Sequence, residues 1–147
     1  MGGKTILIVE DHPDCRELLA VVLARSGYGV IKAATGLEAI ARARETVPDL
    51  ILMDFGLPGM TGDKIIMRLK EDPSTEKIPV IVTTGYLDAN VARRAVVAGA
   101  VKVLVKPFEL DGLLAAMQQC LSSEPDRNLV SSETAIPRDR LNTVTPE

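Results

Sequence analysis

Residues 50–59 read Leu-Ile-Leu-Met-Asp-Phe-Gly-Leu-Pro-Gly, an apolar run that ends in a carboxylate and a glycine-containing loop. An apolar run of this length without polar alternation is typical of a strand that is covered on both faces, as in a parallel sheet between helices. The stretch from Phe55 to Gly59 favours a loop rather than a helix start. Asp54 is therefore predicted to lie at the mouth of a buried strand.

Four similar runs flank this one along the chain. The predicted strands are Thr5–Val9, Gly29–Ala33, Leu50–Met53, Val80–Thr83 and Val101–Val105. A segment of helical period follows each of them, so strand and helix alternate five times. With right-handed crossovers, this order predicts an α/β fold, a doubly wound (βα)5 three-layer sandwich with helices on both faces of a parallel five-stranded sheet.

Each helical segment carries an apolar stripe that we expect to face the sheet. Thr35 with Glu38 predicts a capping box at the second helix, and Asp88 predicts an N-cap at the fourth. The stripes are Cys15, Leu18, Leu19, Val22 and Leu23; Leu37, Ile40 and Ala41; Ile65, Ile66 and Leu69; Val91, Ala92, Ala95 and Val96; and Leu110, Leu113, Leu114, Met117 and Leu121.

Length and composition bound the class of protein. The chain has 147 residues, 46% hydrophobic and 25% charged, which suits a single domain with a real core. Composition changes after Ser122, where apolar residues become few, glycine is absent and no period is visible. We expect a folded domain over residues 1–122 and a flexible C-terminal tail over residues 123–147.

Net charge and cysteine content limit the binding partners and the cellular location that we expect. The net charge of −3 predicts no direct binding to nucleic acid or to an anionic membrane. No apolar run approaches the roughly 18 residues that a spanning helix needs. Cys15 and Cys120 are far apart, each on an apolar stripe, which predicts two reduced thiols that fill the core and a cytoplasmic location.

Polar side chains follow four of the predicted strands at the point where each strand ends. They are Glu10 and Asp11, Asp54, Thr84, and Lys106. Because the carboxyl ends of parallel strands gather at one edge of the sheet, we expect these groups to meet there. Crowded carboxylates repel one another unless a cation intervenes, and hard oxygen ligands suit Mg²⁺. The pattern therefore predicts a site for magnesium and a phosphoryl group.

The chemistry of each group suggests its part in that site. A carboxylate at Asp54 can attack phosphorus and form an acyl phosphate. The Thr84 hydroxyl can hydrogen-bond a phosphoryl oxygen, whereas Thr83 is expected to be strand filler. Lys106 precedes a proline, which holds it extended, so its amine can pair with the acids and with phosphoryl oxygens. His12 is expected to be an exposed loop residue.

Four stretches together resemble the receiver domain of two-component response regulators, the CheY-like module with a flavodoxin-like fold. They are residues 6–11 (Ile-Leu-Ile-Val-Glu-Asp), 49–62 (from Asp49 through Asp54 to Gly62), 79–85 (Pro-Val-Ile-Val-Thr-Thr-Gly) and 99–108 (from Gly99 through Lys106-Pro107 to Phe108). The resemblance covers about residues 4–121, and the four pieces occur in the order and at the spacings of the family.

The resemblance implies a definite site. The sheet order is expected to be 2-1-3-4-5. Asp54 is expected to be the phosphoacceptor, with Glu10 and Asp11 as the acidic pocket and the Gly56 carbonyl as a further Mg²⁺ ligand. Thr84 and Lys106 are expected to bind the phosphoryl group and report its arrival.

The resemblance also implies the partners and the kind of activity. The phosphoryl donor is expected to be a phosphohistidine on a sensor histidine kinase or a histidine phosphotransfer protein. A downstream protein is expected to read the face formed by the fourth helix, fifth strand and fifth helix. The chain would be a regulatory phosphoacceptor that assists its own phosphorylation and dephosphorylation, not a turnover enzyme, and whether it forms a homodimer is left open.

Two departures and three alternatives accompany this interpretation. Val103 stands where the family often has an aromatic ring that couples to the threonine, and no output domain follows residue 122, so the chain is either a stand-alone receiver or part of a longer protein.

The alternatives are an unphosphorylated pseudo-receiver, a flavin-binding protein of the same fold and a phosphatase with an aspartate nucleophile. The full set of acid, threonine and lysine disfavours the first, and the acids after the first strand would repel a flavin phosphate. A phosphatase with an aspartate nucleophile usually needs a further general acid close to that nucleophile, and the stretch Asp54-Phe55-Gly56 supplies none.

Overall fold

The computed structural model describes residues 3–85 and 88–122, in which strand and helix alternate. Each predicted strand is present, with ends that differ by at most one residue. The strands are β1 (Thr5–Val9), β2 (Gly29–Ala33), β3 (Leu50–Asp54), β4 (Val80–Thr84) and β5 (Lys102–Val105), and the helices are α1 (Pro13–Arg25), α2 (Gly36–Thr46), α3 (Gly62–Lys70), α4 (Ala89–Ala98) and α5 (Leu110–Ser122).

All five strands are parallel and form one sheet in the order β2-β1-β3-β4-β5. This confirms the order that the resemblance implied. The chain runs outward in opposite directions from β1 and β3, so the crossover helices on the two sides leave a crevice at the carboxyl ends of these strands. The fold therefore places its ligand crevice where β1 and β3 end.

Two apolar clusters lie on opposite faces of the sheet. Side chains such as Leu7 and Ile51 meet α2, α3 and α4 on one face. Ile6 and Leu52 meet α1 and α5 on the other. The central strands are covered on both sides, as their unbroken apolar runs predicted, and the three-layer sandwich is confirmed.

The predicted helix caps are confirmed. The Thr35 hydroxyl accepts a hydrogen bond from the Glu38 backbone N–H at 3.1 Å, and Asp88 accepts from the Val91 N–H at 2.8 Å. The Glu38 carboxylate returns to the Ala34 N–H at 2.7 Å, one residue before the cap. These bonds satisfy backbone donors that the first turn of a helix leaves without partners.

The predicted inward faces of α1 and α2 are partly wrong. Cys15 is exposed, and Leu18 and Leu37 are each 65% exposed. Leu23 and Ile40 are buried as predicted, whereas Ala41 is exposed. The other buried positions, outside the predicted stripes, are Ala20 in α1 and Gly36, Ala39 and Ala43 in α2. An added Cβ on Gly36 would lie 2.8 Å from Ile65 Cδ1, so α2 turns its small residues towards α3. The close approach of α2 to α3 determines which face of α2 is buried, and the larger Leu37 therefore lies on the exposed face.

The other stripes agree better with the structure. Ile65, Ile66 and Leu69 are buried, as are Ala92 and Ala95 in α4 and Leu113 and Met117 in α5, whereas Leu110 is 43% exposed. Cys120 is partly buried against the α1–α5 cluster, and burial raises the pKa of its thiol. The core-filling role predicted for both cysteines thus applies in part to Cys120 and not to Cys15.

The predicted tail, residues 123–147, lies outside the described residues. Among residues 3–85 and 88–122, no helix is both long and apolar enough to span a membrane.

Candidate functional site

Strand register brings the predicted site residues to one edge of the sheet. β1 pairs Val9 with Met53 of β3, so the residues that follow, Glu10 and Asp54, stand side by side. On the other side, β4 pairs Thr84 with Val105 of β5, and the Thr84 carbonyl accepts the Lys106 backbone N–H at 2.8 Å. The groups that end four different strands are thus gathered around one small volume.

The Lys106 amine lies between two carboxylates of this cluster. Its Nζ donates to Glu10 Oε1 at 3.1 Å and to Asp54 Oδ2 at 3.4 Å. The Glu10 side chain is 3% exposed and that of Asp54 is 12% exposed, whereas Lys106 is 33% exposed. The predicted meeting of Lys106 with the acids is confirmed.

Mutual pairing keeps these groups charged. Burial alone would raise the pKa of Glu10, but hydrogen bonds from the His12 backbone N–H and from Lys106 outweigh it and hold that pKa below its ordinary value. Burial would lower the pKa of Lys106, but the hydrogen bond to Glu10 and the charge of Asp54 raise it instead. Glu10 is therefore a carboxylate and Lys106 an ammonium at neutral pH.

Asp11 and His12 form the outer rim of the site. The Asp11 side chain is 28% exposed, and His12 is 72% exposed with Nδ1 3.3 Å from Glu10 Oε2 and 3.7 Å from Asp11 Oδ1. The His12 N–H also donates to Glu10 Oε2 at 3.2 Å. The predicted exposure of His12 is confirmed, but its contact with both acids was not anticipated, because only adjacency in sequence signalled it.

The donor set fits a magnesium ion. Glu10, Asp11 and His12 can each offer one ligand atom such that these atoms lie within 4.8 Å of one another, and Asp54 joins them through Lys106. Carboxylate oxygens outnumber the one ammonium, and Mg²⁺ takes one or two carboxylates while keeping several waters. The partial exposure of Asp11 provides the side on which waters can remain.

The loops beside the acids are open. Asp54 Oδ1 accepts a hydrogen bond from the Gly56 N–H at 3.1 Å, which fixes that carboxylate from the loop side. A Cβ added to Gly56 or to Gly85 would meet nothing within 4 Å. Both glycines therefore leave space at the edge where a phosphoryl group would enter.

Thr84 ends β4 with only 6% of its surface exposed, and Thr83 is 3% exposed. Thr83 pairs with Asp54 across the β3–β4 ladder, consistent with its predicted role as strand filler. Val103, where the resemblance expected an aromatic ring, is partly buried against the α2–α3–α4 cluster. The functional roles of these residues remain predictions.

The sequence and the fold both have known counterparts. A family model described as the response regulator receiver domain matches residues 6–118. The phosphate regulon transcriptional regulatory protein PhoB of Pseudomonas aeruginosa is 38% identical over 121 residues, which are 82% of this chain and 53% of PhoB. Sporulation initiation phosphotransferase F of Bacillus subtilis is 36% identical over 121 residues, 82% of this chain and 96% of that protein. The chain therefore spans about half the length of PhoB and nearly all of phosphotransferase F.

Two solved structures show the same architecture. The chemotaxis protein CheY4 of Vibrio cholerae superposes with a TM-score of 0.77 at 29% identity, covering 81% of this chain and 99% of CheY4. The receiver domain of a sensor histidine kinase from Pseudomonas aeruginosa superposes with a TM-score of 0.77 at 29% identity, covering 82% and 99%, and has a magnesium ion coordinated in its active site cleft. With the family model covering most of its length, the chain belongs to the response regulator receiver domain family, the regulatory phosphoacceptor modules of two-component signalling.

Proposed function

We propose that this chain accepts a phosphoryl group on Asp54 from the phosphohistidine of a sensor histidine kinase or a histidine phosphotransfer protein, and that the modified form signals to a partner. The observation that carries the proposal is the Lys106 amine, which lies within 3.1 Å of Glu10 and 3.4 Å of Asp54 at the open edge of the sheet. Such a cluster holds a nucleophilic carboxylate beside a cation that can follow the charge of the transferred group.

Asp54 is the nucleophile in this proposal. One of its carboxylate oxygens attacks phosphorus in line, the bond between phosphorus and the donor imidazole nitrogen breaks, and that nitrogen keeps the electron pair and takes a proton. The Gly56 N–H, 3.1 Å from Asp54 Oδ1, orients the carboxylate for this attack. The product is an aspartyl acyl phosphate, which water later hydrolyses to regenerate Asp54.

A magnesium ion held by the carboxylates of Glu10, Asp11 and Asp54, with the Gly56 carbonyl, would supply positive charge for the phosphoryl oxygens. Lys106 supplies the second positive charge. Once Asp54 carries the phosphoryl group, its own carboxylate charge is gone, so the Lys106 ammonium can pair with a phosphoryl oxygen in its place. In this proposal the Thr84 hydroxyl donates a hydrogen bond to another phosphoryl oxygen. By supplying these groups, the chain assists both its own phosphorylation and its return to the resting form.

The modified group carries nearly two negative charges, which shifts an existing equilibrium between two placements of α4. We propose that a downstream protein reads the α4–β5–α5 face. Several apolar side chains are exposed there: Val101 is 44%, Val105 38% and Leu110 43% exposed. Exposed apolar groups rimmed by polar ones are typical of a protein-binding surface.

The test is the intact mass of the protein after incubation with acetyl phosphate and Mg²⁺. We expect a mass gain of one phosphoryl group in the wild type and none in Asp54→Asn. Asp14→Asn, an exposed acid in the first turn of α1, is the matched control and should be labelled like the wild type. Removal of Mg²⁺ by a chelator should abolish labelling. Equal labelling of Asp54→Asn, or labelling that ignores the metal, contradicts the proposal, and a wild type that takes no phosphoryl group favours a pseudo-receiver.

A further inference from the structure

Arg94 on α4 reaches back to the loop that follows Asp54. Its Nε lies 3.1 Å and its Nη2 3.0 Å from Asp63 Oδ2, in the first turn of α3. Its guanidinium carbon lies 5.3 Å from the centre of the Phe55 ring, the residue immediately after Asp54. One cation on α4 is thus bound to both the start of α3 and the ring next to the proposed phosphoacceptor.

Phe55 is fixed to Asp54 and to α3 through its backbone. Its N–H donates to the Thr83 carbonyl at 2.8 Å, and its carbonyl accepts the Gly62 N–H at 2.9 Å. Gly62 lies so close that an added Cβ would be 3.0 Å from Phe55 Cα. Phe55 and the first turn of α3 therefore move as one unit when the backbone at Asp54 moves.

Arg94 bridges two helices that are otherwise separated at the surface by an open groove. The groove between α3 and α4 includes Met67 and Val97, which are 50% and 79% exposed. Asp63 and Arg94 both line this groove, with side chains that are 16% and 39% exposed, so their ion pair lies along it. An open groove gives α4 room to shift when the partners of Arg94 shift.

The aromatic ring expected in β5 is absent, since position 103 is valine. Phe55 packs in the same apolar cluster as Ala95 of α4, whereas Tyr28 and Phe108 pack in the cluster on the other face of the sheet. Among the residues that the structure describes, Phe55 is therefore the ring that links the phosphoacceptor edge to α4.

On the premise that Asp54 is the phosphoacceptor, we propose that Arg94 is the positioning residue that couples phosphorylation to the placement of α4, through its contacts with Phe55 and Asp63. In this chain the route from the acyl phosphate to α4 then runs through the β3–α3 loop, and it does not require an aromatic side chain in β5.

The experiment is hydrogen–deuterium exchange of residues 88–99, measured with and without acetyl phosphate and Mg²⁺, with the extent of phosphorylation read from intact mass in the same samples. The variants are Arg94→Gln and the matched control Arg93→Gln, which removes the same charge from an exposed neighbouring position on α4. The readout is the change in exchange upon phosphorylation. A merely structural role would alter exchange in both states but leave that change in place.

We expect Arg94→Gln to be phosphorylated like the wild type yet to lose at least half of the phosphorylation-dependent change, while Arg93→Gln keeps it. Arg94→Lys, which retains a charge beside Asp63 but not the planar guanidinium over Phe55, should keep an intermediate change, and it provides the same test if the glutamine variant does not fold. If Arg94→Gln and Arg94→Lys are labelled like the wild type and keep its full phosphorylation-dependent change in exchange, the role of Arg94 is wrong, while the proposed function stands. A wild type without labelling would overturn the proposed function, and this inference with it.

Discussion

At the scale of single residues, the Lys106 ammonium offsets the free-energy cost of burying the charged Glu10 carboxylate. Glu10 is a carboxylate with 3% of its side chain exposed, and a buried charge is strongly unfavourable unless it is paired and hydrogen-bonded. The ammonium that pairs with it comes from a position 96 residues away. The same ammonium contacts Asp54 at 3.4 Å, so one side chain both pairs with the buried acid and lies beside the proposed phosphoacceptor.

Replacing Lys106 with methionine tests this double role. The methionine keeps much of the apolar stem but leaves Glu10 without its cation, so we expect a loss of about 1–3 kcal/mol in the free energy of unfolding. The partial exposure of Lys106 keeps the loss below that of a fully buried pair. The measurement is urea unfolding without divalent cations.

The matched control is Lys102→Met, an exposed residue at the start of β5, the strand that Lys106 follows, which we expect to change stability by less than about 0.5 kcal/mol. Equal losses in the two variants would show that Lys106 contributes through strand packing and not through Glu10.

At the scale of elements, glycine marks where a helix approaches its neighbour closely and where it does not. Gly62 opens α3 directly against Phe55, with a distance of 3.0 Å from an added Cβ to Phe55 Cα. An added Cβ on Gly112, an exposed residue in the first turn of α5, would meet nothing within 4 Å. Replacing glycine with alanine should therefore have opposite effects on the free energy of unfolding at the two positions.

We expect Gly62→Ala to lower the free energy of unfolding by about 1–3 kcal/mol, because the methyl group forces the Phe55 backbone to shift. Gly112→Ala should raise it by about 0.5–1 kcal/mol, because alanine loses less backbone freedom in a helix and nothing obstructs it. Urea unfolding of both variants is the measurement. A stabilising Gly62→Ala would contradict the close contact that ties α3 to the loop after Asp54.

The helix faces show what a local pattern leaves open. The period of α2 was correct, but the inward face runs through Gly36, Ala39 and Ile40, and Leu37 is exposed. Hydrophobicity favoured the leucine, whereas the packing distance between α2 and α3 required the smallest side chains. Periodicity predicts that a segment is a helix, but the phase of its buried face depends on the neighbour it meets.

At the scale of the whole molecule, both apolar clusters span the domain: among the residues that the structure describes, their members run from Ile6 to Leu121. The site residues lie within the same span. We propose that residues 1–122 form the folding and phosphoacceptor unit, and the change in composition after Ser122 supports this boundary.

A chain ending at Ser122 tests this boundary. We expect its free energy of unfolding to match that of the full chain within about 0.5 kcal/mol, and its labelling by acetyl phosphate to be unchanged. Urea unfolding and intact mass are the measurements. A larger loss of stability in the shortened chain would mean that part of residues 123–147 packs against the domain.

The local pattern of residues was enough for the alternation of strands and helices, their bounds to within a residue for the strands, and the gathering of Glu10, Asp11, Asp54, Thr84 and Lys106 at one edge. These features follow from short-range periodicity and from one rule of topology, that parallel strands end on the same side. Tertiary packing alone decided which faces of α1 and α2 are buried and that Arg94 lies over Phe55. The physical reason is that these contacts depend on the distances and angles between elements far apart in the chain, for which no short stretch of residues carries a signal.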